Sequence, residues 1–161
     1  MISDLLRRGF ERNVRIIHAQ ADGLTHEQSL TQTQYNVNCF NWVVGHIITS
    51  RHVLVTSLGA GTPFDDARLA AYQRESEPIT ADGPGVVPFD ELLSMLDVIQ
   101  ETLDALFGSA TDEWLAEETQ VAPDRMSPRL SQAMFYLFHD TFHTGQTEML
   151  RQMSGYDDKI I

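Results

Sequence analysis

The sequence predicts an all-α protein: a four-helix bundle with short extra helices in the connections. Three observations predict it. Four long segments carry apolar side chains at spacings of three and four, the period of a helix with one buried face. Clusters of glycine and proline separate those segments. No stretch alternates apolar and polar residues for long enough to make a convincing strand. The chain of 161 residues is one domain, 1–161, with enough length to bury a core.

The first helix is expected from Ser3 to Ala21, on the repeat Leu5, Leu6, Phe10, Val14, Ile17, with Ser3 as N-cap and Gly23 as stop. Thr25 followed by Gln28 reads as a capping box for one short helical turn. The second helix is expected from Asn38 to Leu58, ended by Gly59, Gly61 and Pro63. Its apolar residues go most of the way round, which suits a central helix or one that also packs against a second subunit. From Pro63 to Pro88 the chain is irregular, with a short helix expected over Asp65 to Tyr72 and then the turn-rich run EPITADGPGVVP. Any strand would have to lie in Ile79 to Val87. The third helix is expected from Phe89 to Phe107, followed by a short capped helix over Thr111 to Glu117. The fourth is expected from Ser127, with Pro128 at its first position, to Met153, with Gly155 beyond it. The short first connection suits antiparallel neighbours. The longer second one could cross the bundle or cover one end.

Composition excludes several functions. Asp and Glu number 23 against 11 Lys and Arg, a formal charge of −12. Nucleic acid and anionic membrane surfaces need clustered cations, so neither is expected as a partner. No apolar run reaches the ~20 residues of a membrane span, and MISDLLRRGFERNVRII has no signal-peptide core. The single cysteine, Cys39, forms no intrachain disulfide, and the expected location is cytoplasmic.

Six histidines are present: His18, His26, His46, His52, His139 and His143. His139 and His143 stand four apart on the fourth helix, about 40° apart on one face. Two imidazoles so placed can share one divalent ion. They can equally each bond a carbonyl and do nothing more. Gln146 follows on the same stripe. Phe135, Phe142, Leu150 and Met153 lie close by, which places the pair on the buried face. Asp140 stands where a zinc-protease helix carries Glu, which argues against that enzyme class. His46 lies in the apolar second helix, as either a satisfied core histidine or a third ligand. Three imidazoles converging from the two helices would leave a coordination position open for water or substrate.

Asn38, Trp42, Gly45 and His46 in NCFNWVVGHI, with His139, His143, Gly145 and Gln146 in FHDTFHTGQTEMLRQMSG, resemble the DinB-like (YfiT-like) metalloenzyme superfamily. The resemblance spans nearly the whole chain, including the capped segments at Thr25 and Thr111. It implies His46, His139 and His143 as ligands of one divalent ion, zinc or nickel first, iron or manganese next. It also implies an enzyme acting on a small-molecule substrate with a low-molecular-weight thiol, such as a mycothiol- or bacillithiol-type S-transferase or isomerase. A metal-dependent hydrolase and a non-catalytic binding protein are the alternatives.

Around the histidines, Gln146 is expected to orient a ring or touch a bound ligand. Asp140 or Asn38 could hold a ring N–H, although Asp140 reads first as a solvated helix charge. Trp42 either walls the pocket or fills the core, and Cys39 packs in the core. Arg51 and Arg151 could meet an anionic substrate but read first as surface residues paired with carboxylates, and Asp112, Glu113, Glu117 and Glu118 read as a solvated cluster. The loop 63–88 is expected to help shape the pocket. No partner is evident for His18, His26 or His52. The apolar surplus of the second helix predicts a homodimer.

Overall fold

A computed structural model describes residues 1–32, 34, 37–61 and 63–160. Helix α1 is Ile2–Ala21, α2 His26–Ser29, α3 Phe40–Ser57, α4 Phe89–Ser109, α5 Asp112–Ala116 and α6 Arg129–Met153. A 3-10 turn, η1, covers Asp66–Tyr72, and two short strands, β1 Glu118–Ala122 and β2 Arg125–Pro128, pair antiparallel.

The short elements form where the local chemistry dictates. The Thr25 side chain accepts from the Gln28 amide and the Gln28 side chain accepts from the Thr25 amide, which closes the expected capping box. Asp65 caps η1 through the Ala67 amide, and Thr111 caps α5 through the Trp114 amide. The start of α1 differs: the helix begins at Ile2, and Ser3 is buried inside its first turn.

Strand structure lies outside the segment where it was expected. Residues 79–87 contain none, and the hairpin is built from 118–128. It takes up Ser127 and Pro128, so α6 starts at Arg129. The hairpin is tied to α6 by the Gln132 amide, which donates to Thr119 Oγ1 at 2.6 Å.

Helix α1 packs against α4 and α6, and α3 packs against the same two. Helices α1 and α3 therefore stand at opposite corners and are not the antiparallel neighbours that their connection suggested. The linking residues 22–39 have room for α2, which lies against α3 and α4 and carries the chain across that end.

The core has two apolar clusters. One holds Val14, Ile17, Val44, Ile48, Leu92 and Leu96. The other holds Leu6, Phe10, Leu54, Ile99, Leu103 and Phe107. Buried polar residues from all four long helices meet in the bundle, among them Asn13, Arg51, Gln100 and Asp140. Arg51 Nε donates to Asp140 Oδ2 at 2.7 Å, and its other nitrogens donate to Gln100 Oε1 and the Phe10 carbonyl. The surface roles read for Arg51 and Asp140 are thus corrected: each charge is buried because the other is there, and Asn13 adds a bond to the carboxylate. Arg151 is also buried, held by Asp158 and by the carbonyls of Gln20 and Asp22. Asp112, Glu113, Glu117 and Glu118 are exposed as expected, with Glu117 paired to Arg129. Among the described residues, no helix is long and apolar enough to cross a membrane.

Candidate metal centre

Helices α3 and α6 pack side by side, and that contact carries His46 to His139 and His143. One nitrogen from each ring lies within 4.8 Å of the other two. Among the described residues, no other group of three or more histidine, cysteine or carboxylate side chains could hold an ion. His46 Nε2 and His139 Nε2 are 3.3 Å apart. The ring centroids of His139 and His143 are 4.5 Å apart.

Two of the three rings are fixed from behind. His46 Nδ1 lies 2.8 Å from the Tyr72 carbonyl, and His143 Nδ1 lies 2.7 Å from Gln146 Oε1. A carbonyl oxygen only accepts, so both Nδ1 atoms carry the hydrogen and both Nε2 atoms keep a lone pair. This is the outer arrangement that orients metal-binding histidines. His139 has no such anchor, and its buried Nδ1 has no hydrogen-bond partner among the described residues. Neither neutral tautomer of His139 satisfies both its nitrogens. If Nε2 bears the hydrogen, a buried Nδ1 lone pair is left over; if Nδ1 bears it, two lone pairs face each other across 3.3 Å. A cation that takes the facing lone pairs removes the repulsion of the second case and leaves only the Nδ1–H of His139 without an acceptor among the described residues. The donor set therefore fits a divalent ion.

The electrostatics agree. Burial pushes all three imidazoles below their ordinary range. His139 falls furthest, to about 4, because burial is reinforced by the two neighbouring rings. All three are then neutral near pH 7, the state in which imidazole binds metal.

Local packing explains the pose of His46. Gly45 lets the Tyr72 ring lie flat on α3: a Cβ at position 45 would stand 2.1 Å from Tyr72 Cδ1. Tyr72 is locked there, its hydroxyl donating to Asn41 Oδ1 at 3.0 Å and accepting from the Val87 amide at 2.8 Å. That pose presents the Tyr72 carbonyl to His46. On the other side Trp42 stacks on His46, with ring centroids 4.5 Å apart. Trp42 thus fills both roles read for it, wall and packing.

The expected ring anchors are corrected. Neither Asp140 nor Asn38 holds a ring N–H; the Tyr72 carbonyl and Gln146 do so. The pair His139 and His143 is half-buried, not on the inner face of α6. That inner face is mostly polar and small, with Gln132, Ala133, Asp140, Thr144 and Thr147, while Phe135 and Phe142 are exposed beside the histidines. Cys39 is buried in the core as read, its thiol 3.6 Å from the Ile79 carbonyl.

Two clefts flank the three histidines. One, of about 470 Å³, reaches His46 and His139 and carries Thr49, His52, Asp66 and Arg74. Leu69, Gln73 and Arg74 bring part of the 63–88 segment into its wall. The other, of about 400 Å³, reaches His143 and Gln146. His52 has a partner that the sequence did not reveal, Asp66 at 2.8 Å; His18 pairs with Asp97 and His26 with Asp82.

A family model described as the DinB superfamily matches residues 10–147. A conserved protein from Enterococcus faecalis, known from its crystal structure, superposes with a TM-score of 0.76 at 13% identity, over 96% of this chain and 97% of that one. At that identity the likeness speaks for the fold alone. No curated protein matches the chain.

Proposed function

The chain belongs to the DinB superfamily, and on that premise we propose that it is a metal-dependent enzyme whose single divalent ion is held by His46, His139 and His143. The observation that carries this reading is the convergence of three neutral imidazoles, two of them pinned by acceptors behind the ring. Zinc or nickel suits the all-nitrogen donor set best, with iron or manganese next. An ion bound there supplies Lewis acidity, lowering the pKa of a thiol or water so that a nucleophile is present near neutral pH. The protein's share is positional. Tyr72 and Gln146 fix two rings, Trp42 closes one side of His46, and the clefts bring small molecules to the histidines.

The preferred activity is transfer or isomerisation of a small-molecule substrate with a low-molecular-weight thiol, which follows the family resemblance. Hydrolysis is the second reading, favoured by one observation: the His52–Asp66 pair lines the same cleft as His46 and His139 and could serve a water as general base. The third is a protein that binds metal or ligand without turnover. Compartment and assembly belong to the same proposal: cytoplasm, from the free buried thiol of Cys39, and a homodimer.

The basis for the dimer changes. The apolar residues of α3 are spent inside their own bundle, with only Val53 notably exposed. Helix α6 instead exposes Met134, Phe135, Phe138, Phe142 and Met149. Those five leave roughly 500 Å² of apolar surface open, a large part of the ~800 Å² per partner in a standard interface.

Elemental analysis of protein purified without chelator, beside His46→Ala and His143→Ala, tests the metal site. About one ion per chain, lost in both variants, is expected. No ion, even after reconstitution with zinc, nickel, iron and manganese, sinks the reading. Assays with several thiols, and then with hydrolysable esters and amides, separate the activities.

A further inference from the structure

The cleft of about 400 Å³ beside His143 differs in chemistry from everything around it. Its wall is made by Val37, Trp42, Val43, Met149, Leu150 and Met153. Among the described residues its polar lining is His143 and the two neutral amides Asn38 and Gln146. Of the 34 charged residues in the chain, 11 Lys and Arg and 23 Asp and Glu, none lines it. The cleft across the histidines, by contrast, carries Arg74, Asp66 and His52.

The volume lies within the range of small-molecule sites. Two methionines at the wall give an adaptable apolar surface, and Trp42 gives a rigid flat one. Gln146 spends Oε1 on His143, so its amide nitrogen is what it offers to a ligand. A charged group in this cleft would lose water and find no counter-charge, whereas an alkyl chain or a single aromatic ring would be covered on two sides.

We infer that this cleft is a binding subsite for the uncharged apolar group of a small molecule, set directly against the three-histidine centre. The substrate class is then an amphipathic small molecule, its apolar substituent on the His143 side. As a substrate assignment this rests on the metal-dependent reading above; as a binding site it does not.

The molecule carries its own probe. There are two tryptophans, and Trp114 lies on α5, away from the cleft. In a Trp114→Phe background, emission reports Trp42 alone. The experiment titrates this protein, held in chelator, with 1-butanol, 1-pentanol, 1-hexanol, hexanoate and hexylammonium, following Trp42 fluorescence. A saturable change is expected, with affinity rising about fourfold per added methylene. Hexanoate and hexylammonium should bind at least tenfold more weakly than 1-hexanol.

Met149→Asp and Met153→Asp, both at the partly exposed rim, should each weaken 1-hexanol at least tenfold. Met126→Asp, on exposed β2, should leave it unchanged. Absence of saturation, equal binding of hexanoate, no dependence on chain length, or unchanged binding in both rim variants overturns the inference. Because no ion is present, its failure and a failure of metal loading are seen in separate experiments.

Discussion

Arg51 and Asp140 form an ion pair of 2.7 Å in the centre of the bundle, with each residue 1% exposed. The pair joins α3 to α6 five residues after His46 and one after His139. It therefore sets the two histidine-bearing helices in register. Removing one member strands the other charge in the core, which costs about 3–5 kcal/mol. Arg51→Met should lose that much stability in urea or guanidinium unfolding. Arg51→Met combined with Asp140→Leu should recover most of it, because no orphan charge is left. If the double variant is as unstable as the single one, the pair's role lies in its wider bonds to Asn13 and Gln100.

Gly45 controls the centre at one remove. Alanine at this position would drive a methyl into the Tyr72 ring, 2.1 Å from Cδ1, so Tyr72 must withdraw and take its carbonyl away from His46 Nδ1. Losing such an anchor typically lowers metal affinity 10–100-fold. Gly45→Ala should show that loss in competition with a chelator. Gly145→Ala is the control, since its Cβ meets nothing within 4 Å and its affinity should hold.

The lowered histidine pKa values make the metal-free protein acid-sensitive. In the unfolded chain each imidazole titrates near 6.5; in the fold His139 titrates at about 4, mainly through burial. Between those values the unfolded state binds more protons, so this contribution to stability is complete above pH ~6.5 and declines as pH falls toward 4. The Tm measured in chelator should drop across that window, and less steeply in His139→Ala. Equal slopes in the two proteins would acquit His139.

The exposed row on α6 predicts assembly. Phe138, 70% exposed, lies in the middle of it. A patch of this size stands at the upper end of what a monomer leaves exposed, and such patches are often contact sites. Phe138→Glu should shift a dimer to monomer in sedimentation while leaving the helical circular dichroism intact. A wild-type chain that sediments as monomer at high concentration discards the dimer.

Much of this was legible in the sequence. The long helices and the capped turns at Thr25 and Thr111 are written in local spacing, and the three histidines in two such helices. What was illegible depends on partners far along the chain or on backbone atoms. Arg51 and Asp140 read as solvated because each, considered alone, belongs in water; their bond spans 89 positions. The Tyr72 carbonyl anchors His46 and carries no residue-type signal, although Gly45 hints that something must approach α3 closely. The hairpin was missed because its strands have five and four residues and an irregular register. The face of α6 was misjudged because its apolar side chains were assumed to point inward, when its buried side is largely polar and small.

Gln146 separates an orienting role from a structural one. Its Oε1 accepts from His143 Nδ1 at 2.7 Å, and the residue lies at a cleft wall, not in the packed core. Gln146→Leu keeps the bulk and deletes the acceptor, so His143 is free to turn and to adopt the other tautomer. Metal affinity should fall about tenfold or more, with little change in the stability of the metal-free chain. Gln146→Glu restores an acceptor, and a charged one, which raises the basicity of the ring; its affinity should match or exceed that of the wild type. A cobalt-loaded sample adds a spectroscopic check, since the visible absorption of Co(II) follows ligand geometry. The spectrum should change in Gln146→Leu and return toward wild type in Gln146→Glu. Two variants with the same affinity and spectrum as the wild type would mean that His143 is oriented by packing against Phe142, whose ring meets it edge-on at 5.2 Å.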